Sequence, residues 1–169
     1  HESLTNATSG AGNTALGKST MTGVVTGSNN VAVGYSAMTA NTSASNNVAV
    51  GVNALDTNTT GASNVAIGQS ALDANTTASF NTAVGRLALA ANTTGAHNTA
   101  VGYGALDAST TATESTAVGK DALSTNTTGE ANTALGKSAM ENTTTGSYNA
   151  AGGLNALKAN TTGADNTAF

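Results

Sequence analysis

The 169-residue chain contains no cysteine, no proline and no tryptophan. Without cysteine there is neither a disulfide framework nor a thiolate metal site, and cysteine usage says nothing of the redox compartment. Charged residues make up 8% of the chain and aromatics 3%, against about 25% charged in an ordinary domain. Five Lys plus Arg and a net charge of -4 give no basic footprint for nucleic acid. No apolar run approaches the roughly 20 residues of a membrane span, so no membrane insertion is expected. The first residues, HESLTNATSG, lack the shape of a signal peptide.

What is present is Thr, Asn, Ala and Gly in strict order. Asn13-Thr14-Ala15-Leu16-Gly17 returns seventeen residues on as Asn30-Val31-Ala32-Val33-Gly34, and again as Asn47-Val48-Ala49-Val50-Gly51. The phase holds through Asn64, Asn81, Asn98, Ser115, Asn132 and Asn149 to Asn166. A fixed short period means one supersecondary unit stacked on itself, and a disordered low-complexity chain has no reason to keep it. The copies begin near 5, 22, 39, 56, 73, 90, 107, 124, 141 and 158, the last incomplete, and form a single repeat domain over 1–169.

Stacking the copies produces columns. The Ala column (Ala15, Ala32, Ala49 and onward to Ala168) and the Gly column (Gly17 to Gly153) have no exceptions. Between them runs an aliphatic column, Leu16, Val33, Val50, Ile67, Val84, Val101, Val118 and Leu135. A second large apolar column, from Leu4 and Met21 through Leu55 and Leu106 to Leu157, follows a small Ala in most copies. Asn58-Thr59-Thr60-Gly61 recurs as Asn92-Thr93-Thr94-Gly95 and Asn126-Thr127-Thr128-Gly129. The variable positions fall just after the Gly (Lys18, Tyr35, Gln69, Arg86, Lys120) and just before the first Asn (Phe80, His97, Glu114, Tyr148).

The period excludes helices: a seventeen-residue helical hairpin would have two helices of about six residues, with Gly in each. Asn-Thr/Val-Ala-Val-Gly alternates with period two, so Thr or Val and the next Val share one face, and Asn, Ala and Gly share the other. The Thr pair adds β-branched residues, and the flanking Asn and Gly add turn chemistry. The expected fold is all-β, a parallel β-solenoid or flattened β-roll of about ten coils, each with two short strands and two turns. Ten coils at the sheet spacing make a rod about 50 Å long.

Asn98-Thr99-Ala100-Val101-Gly102-Tyr103-Gly104-Ala105-Leu106 and Ser115-Thr116-Ala117-Val118-Gly119 resemble the head-domain repeats of trimeric autotransporter adhesins. Repeats of phage tail fibres and other bacterial surface proteins are similar. The resemblance spans the chain and implies a left-handed β-roll, trimeric, at a cell or virion surface. It also implies a role in adhesion to a host-surface or matrix ligand, or as a spacer. The adhesin repeat is shorter, and the additional residues here are the Asn-Thr-Thr-Gly stretch.

Two features suggest that the chain partners itself. One coil orders seventeen residues for only about two large aliphatic side chains, which leaves a slender rod marginal. The bare column Ala15, Ala32, Ala49, Ala66, Ala83, Ala100, Ala117 and Ala134 then reads as a flat face for lateral packing against another copy. The alternative is that small residues merely fit a tight interior. The chain also opens on the last positions of a repeat and stops in mid-strand, so His1, Leu4, Thr167 and Phe169 are candidates for end-to-end contact. A fragment of a longer repeat protein would look the same.

Catalytic, cofactor and metal sites are not expected. His1 and His97 are isolated, and a catalytic His needs a positioned partner. The Asp column (Asp56, Asp73, Asp107) is broken by Ala90, Ser124 and Lys158, whereas a calcium-binding solenoid needs carboxylates in successive coils. Gly17-Lys18-Ser19 lacks the loop that precedes a phosphate-binding Gly-Lys-Ser. Asn58, Asn75, Asn92 and Asn126, with Asn41, Asn142 and Asn160, fit the Asn-x-Ser/Thr glycan-acceptor pattern, although a turn and a ladder explain most of them as well. The paired Thr columns raise ice binding, but adjacent residues on a regular strand point to opposite faces, which spoils a flat two-rank array. The expected function is that of a non-enzymatic, extracellular filament or surface-fibre subunit, with an adhesin head as the alternative and an ice-binding solenoid as a minor one.

Overall fold

The computed structural model describes residues 2–169, and the chain forms one parallel sheet wound as a solenoid. Its strands are β1 (Thr14–Leu16), β2 (Val31–Val33), β3 (Val48–Val50), β4 (Val65–Ile67) and β5 (Thr82–Val84). They continue as β6 (Thr99–Val101), β7 (Thr116–Val118), β8 (Thr133–Leu135), β9 (Ala150–Gly152) and β10 (Thr167–Ala168). Each pairs only with its neighbours in chain order, Ala on Ala, as in Ala83↔Ala100 and Ala100↔Ala117. There is no helix among the described residues.

The strand alternation separates the side chains as the pattern requires. In β6, Ala100 is buried while Thr99 and Val101 face outward. The Gly that follows each of β1–β9 turns the chain at a φ near +135°, a region closed to most L residues. A Cβ on Gly102 would lie 2.6 Å from the Gly119 carbonyl oxygen, so successive coils touch there through bare backbone. Beyond the turn, Ala105 and Leu106 are adjacent in sequence and both fully buried. Leu106 takes φ +52°, and the same left-handed residue recurs from Met21 to Leu157. That conformation reverses the alternation and turns two consecutive side chains inward; its cost, about 1–2 kcal/mol for a non-glycine residue, is opposed by burying a Leu or Met in nearly every coil.

The interior is accordingly thin. It holds the Leu/Met column, two Ala columns and two ladders of buried Asn. On the strand side, the Asn98 backbone N–H donates to Asn81 Oδ1 (2.9 Å), and Asn81 Nδ2 donates to the Gly95 carbonyl (2.9 Å). Each amide thus ties its strand to the coil above and to the opposite wall. On the other side, Asn92 Nδ2 donates to Asn75 Oδ1 (3.1 Å) and Asn75 Nδ2 to Asn58 Oδ1 (2.9 Å).

Two strands per coil were expected and one is found. The second segment, containing Thr59-Thr60 and its equivalents, stacks without forming a strand. Thr59 N–H, Thr59 Oγ1 and Thr60 N–H all donate to the single carbonyl of Thr76 (2.9, 3.0 and 3.3 Å). Concentrating donors on one acceptor bends the backbone and removes the even spacing that a parallel ladder needs.

Candidate functional site

The outer face of the ten-stranded sheet is the main unpartnered surface. Two columns cover it: Val31, Val48, Val65, Thr82, Thr99, Thr116 and Thr133 on one rank, Leu16 to Leu135 on the other. Leu16 is 67% exposed, and Val50, Ile67, Val118 and Leu135 are exposed as well. The expected burial of two large aliphatic side chains per coil is therefore halved: the Leu/Met column is inside and the Val column outside.

The expected self-association face is corrected at the same point. Ala32, Ala49, Ala66, Ala83, Ala100, Ala117 and Ala134 are all 0% exposed, and Ala15 packs partly buried against the same core. None of them presents a flank to another molecule. The reason is thickness: an Asn amide spans from one wall to a carbonyl of the other, which leaves room beside it only for a methyl group.

The two variable columns border the outer face. Lys18, Tyr35, Arg86, Tyr103, Lys120 and Lys137 project beyond the Gly turn, and four of the five cations of the chain stand in this column. Two of the five aromatics, Phe80 and Tyr103, make ring contacts midway along the rod, while Tyr35, Tyr148 and Phe169 stand in other coils. Tyr103 lies between Arg86 and Lys120, whose charged groups sit 5.6 and 5.7 Å from its ring centroid. On the other border Phe80 stacks on His97 with centroids 5.0 Å apart and an interplanar angle of 11°. The sequence singles out both variable columns but not these contacts, because columns show height along the rod and not which neighbours meet.

The candidate glycan acceptors are corrected too. Asn58, Asn75, Asn92 and Asn126 are 0% exposed, as is Asn41, with their Nδ2 groups engaged inside the rod. An acceptor amide must reach an external enzyme, and these cannot in the folded chain. Asn142 is exposed because it stands one residue out of phase with the ladder. The Thr pair also departs from expectation: Thr59 is half-buried and Thr60 exposed, so the bend turns both outward, and the pattern repeats through Thr144 and Thr145.

Of the end-contact candidates, His1 lies outside the described residues, Leu4 packs partly buried against the core, and Thr167 pairs with Ala150. Phe169 is 92% exposed, with its ring over the bare Gly152 of the preceding strand. Burial pushes the Asp73 carboxyl above its ordinary range, with repulsion from Asp56 adding and a hydrogen bond from Ser70 opposing. Burial and then Asp121 push Asp107 up in the same way. Glu141 is held low, first by its hydrogen bond with Lys158, at 2.9 Å, and then by Ser138. Among the described residues no three His or acidic side chains converge on a point where a metal ion would fit, no cavity opens, and no helix is long and apolar enough to cross a membrane.

No family model, no curated protein and no solved structure matches this chain.

Proposed function

We propose that the chain is a structural module of an extracellular fibre that associates with copies of itself through the outer face of β1–β10. One observation carries this reading: a strip of Val, Leu, Ile and Thr about 45 Å long and 10 Å wide, on the order of 450 Å², lies open on a rod whose interior holds one large apolar side chain per coil. Packing two such strips removes the most apolar surface the molecule has from water. The remaining surface is hydroxyl and amide, with thinly spread charge. A location at a cell or virion surface is supported by the likeness of Asn-Thr-Ala-Val-Gly to adhesin-head repeats.

Light scattering across a concentration series tests the proposal. The chain is expected to run as a defined oligomer, and Val84→Lys with Val101→Lys to run as a monomer with unchanged circular dichroism. A monodisperse wild-type monomer at high concentration sinks it.

A second reading has its own observation. The Thr60 column is exposed and makes no side-chain hydrogen bond, yet it is Thr in every coil from Thr60 to Thr162. The exposed columns just after the Gly and just before the first Asn change from coil to coil. A regular hydroxyl array on a rigid rod orders water, and ice binding follows; absence of thermal hysteresis in the wild-type chain rules it out.

A further inference from the structure

Copy 107–123 lacks asparagine in both ladder columns at once, with Ser115 on the strand wall and Ser109 on the Thr wall. The loss falls on its boundary with copy 124–140. From Asn13 to Asn149 each strand-wall Asn sends its Nδ2 across the rod to a carbonyl fourteen residues on, at 2.7–3.0 Å. Ser115 is too short for that crossing, and its Oγ turns back to the Thr113 carbonyl (3.3 Å). On the Thr wall Ser109 Oγ is buried without a partner, and Asn126 Nδ2 bonds only the Gly129 carbonyl of its own copy. Two side-chain hydrogen bonds are left across the boundary: Asn132 N–H to Ser115 Oγ (3.3 Å) and Thr110 Oγ1 to the Thr127 carbonyl (3.2 Å). Seven cross the next boundary, into copy 141–157. The backbone ladder runs on, as in Thr116 N–H to the Asn132 carbonyl (2.8 Å).

We infer that this boundary is a seam at which the rod yields. In a stack whose stability is summed from coils and their nearest-neighbour interfaces, opening starts at the weakest interface. The apolar column does not offset the difference, because Leu106, Leu123 and Met140 are all fully buried and serve every boundary alike. Once parted, the three copies of 124–169 stand at the minimum for a stable solenoid, whereas 5–123 keeps seven. The shorter block then unfolds as a unit, and residues 124–169 pass from about 15 Å of rod to roughly 150 Å of extended chain. Under tension the seam releases length at a fixed place while the other coils stay wound. A lone rod and an associated one carry the same seam.

Amide hydrogen exchange of the 169-residue chain in mild urea tests it. The amides of β8–β10 are expected to exchange as one set, roughly tenfold faster than those of β4–β7, with a step between β7 and β8. Fraying from an end gives a gradient with no step. Ser109→Asn with Ser115→Asn puts back the residues of the other copies and is expected to remove the step. In that repaired chain Asn41→Ser with Asn47→Ser is expected to move the step to the gap between β3 and β4, with β1–β3 now the faster set. A smooth gradient in the wild-type chain, or a step that the repair leaves in place, overturns the seam.

Discussion

The two walls of the rod each carry an Asn ladder interrupted by Ser, and the interruptions behave differently. On the strand side Ser115 replaces Asn between Asn98 and Asn132; its N–H still donates to Asn98 Oδ1 (3.0 Å), and its Oγ still accepts from the Asn132 N–H (3.3 Å). On the Thr side Ser109 sits between Asn92 and Asn126 with its buried Oγ unpartnered, and Asn92 Oδ1 is unpartnered as well. The strand-side ladder passes from side chain to backbone, and a hydroxyl reaches that far. Over Asn58, Asn75 and Asn92 the Thr-side ladder passes from amide to amide, and a hydroxyl falls short. The same substitution is thus conservative on one wall and a defect on the other.

Substitutions along both ladders sharpen this contrast, each read as a change in urea midpoint at constant slope. Asn81→Ala on the strand side is expected to cost about 2–3 kcal/mol, because it strands a buried N–H of Asn98 and removes one of the two amide donors to the Gly95 carbonyl, which keeps its bond from Asn92 Nδ2. Ser115→Ala is expected to cost about 1–2 kcal/mol through the single N–H of Asn132 that it leaves unpaired. Ser109→Asn is expected to stabilise by about 1 kcal/mol by giving Asn92 Oδ1 its missing donor. Ser109→Ala should fall within about 0.5 kcal/mol of wild type, since the hydroxyl it removes bonds nothing. Equal costs for Ser115→Ala and Ser109→Ala would erase the distinction between the walls.

The smallest effect is one of pH. The carboxyls of Asp73 and Asp107 are raised in the folded chain, so the fold binds protons more readily than the unfolded chain does. Their ionisation destabilises the rod above the raised value, and the penalty disappears as pH falls through it toward the ordinary carboxylate range. Glu141 has the opposite sign, contributing stability that is lost on the same descent. Asp73→Asn together with Asp107→Asn should therefore raise the urea midpoint at neutral pH and leave it unchanged in acid. A midpoint that responds equally at both removes the assignment.

The seventeen-residue phase carries nearly all of the fold. It dictates which residues stack, and Ala15, Ala32 and Ala49 indeed lie in register on successive strands. The alternation also shows that Ala and Val lie on opposite faces, but not which of those faces is inside. Size decides that, and Ala is inside because the Asn amides draw the walls together. The Thr segment defeated local reading for a related reason: β-branched propensity favours a strand at Thr59-Thr60, while three donors converging on the Thr76 carbonyl impose a bend. The borders needed a third dimension, since Phe80 meets His97 and Arg86 meets Tyr103 only once coils are stacked.

Because every ladder contact joins a residue to one in the next coil, the rod has no built-in length. Excising one whole coil, for instance 99–115, joins Asn98 to Thr116 in the place of Ser115 and restores the same kinds of contact that were removed, whereas excising sixteen residues throws Ala into the Val column and Val into the turn. Such a molecule can be lengthened or shortened by unequal recombination in units of fifty-one base pairs, with each intermediate a foldable product. It acts as a ruler whose graduations can be added one at a time.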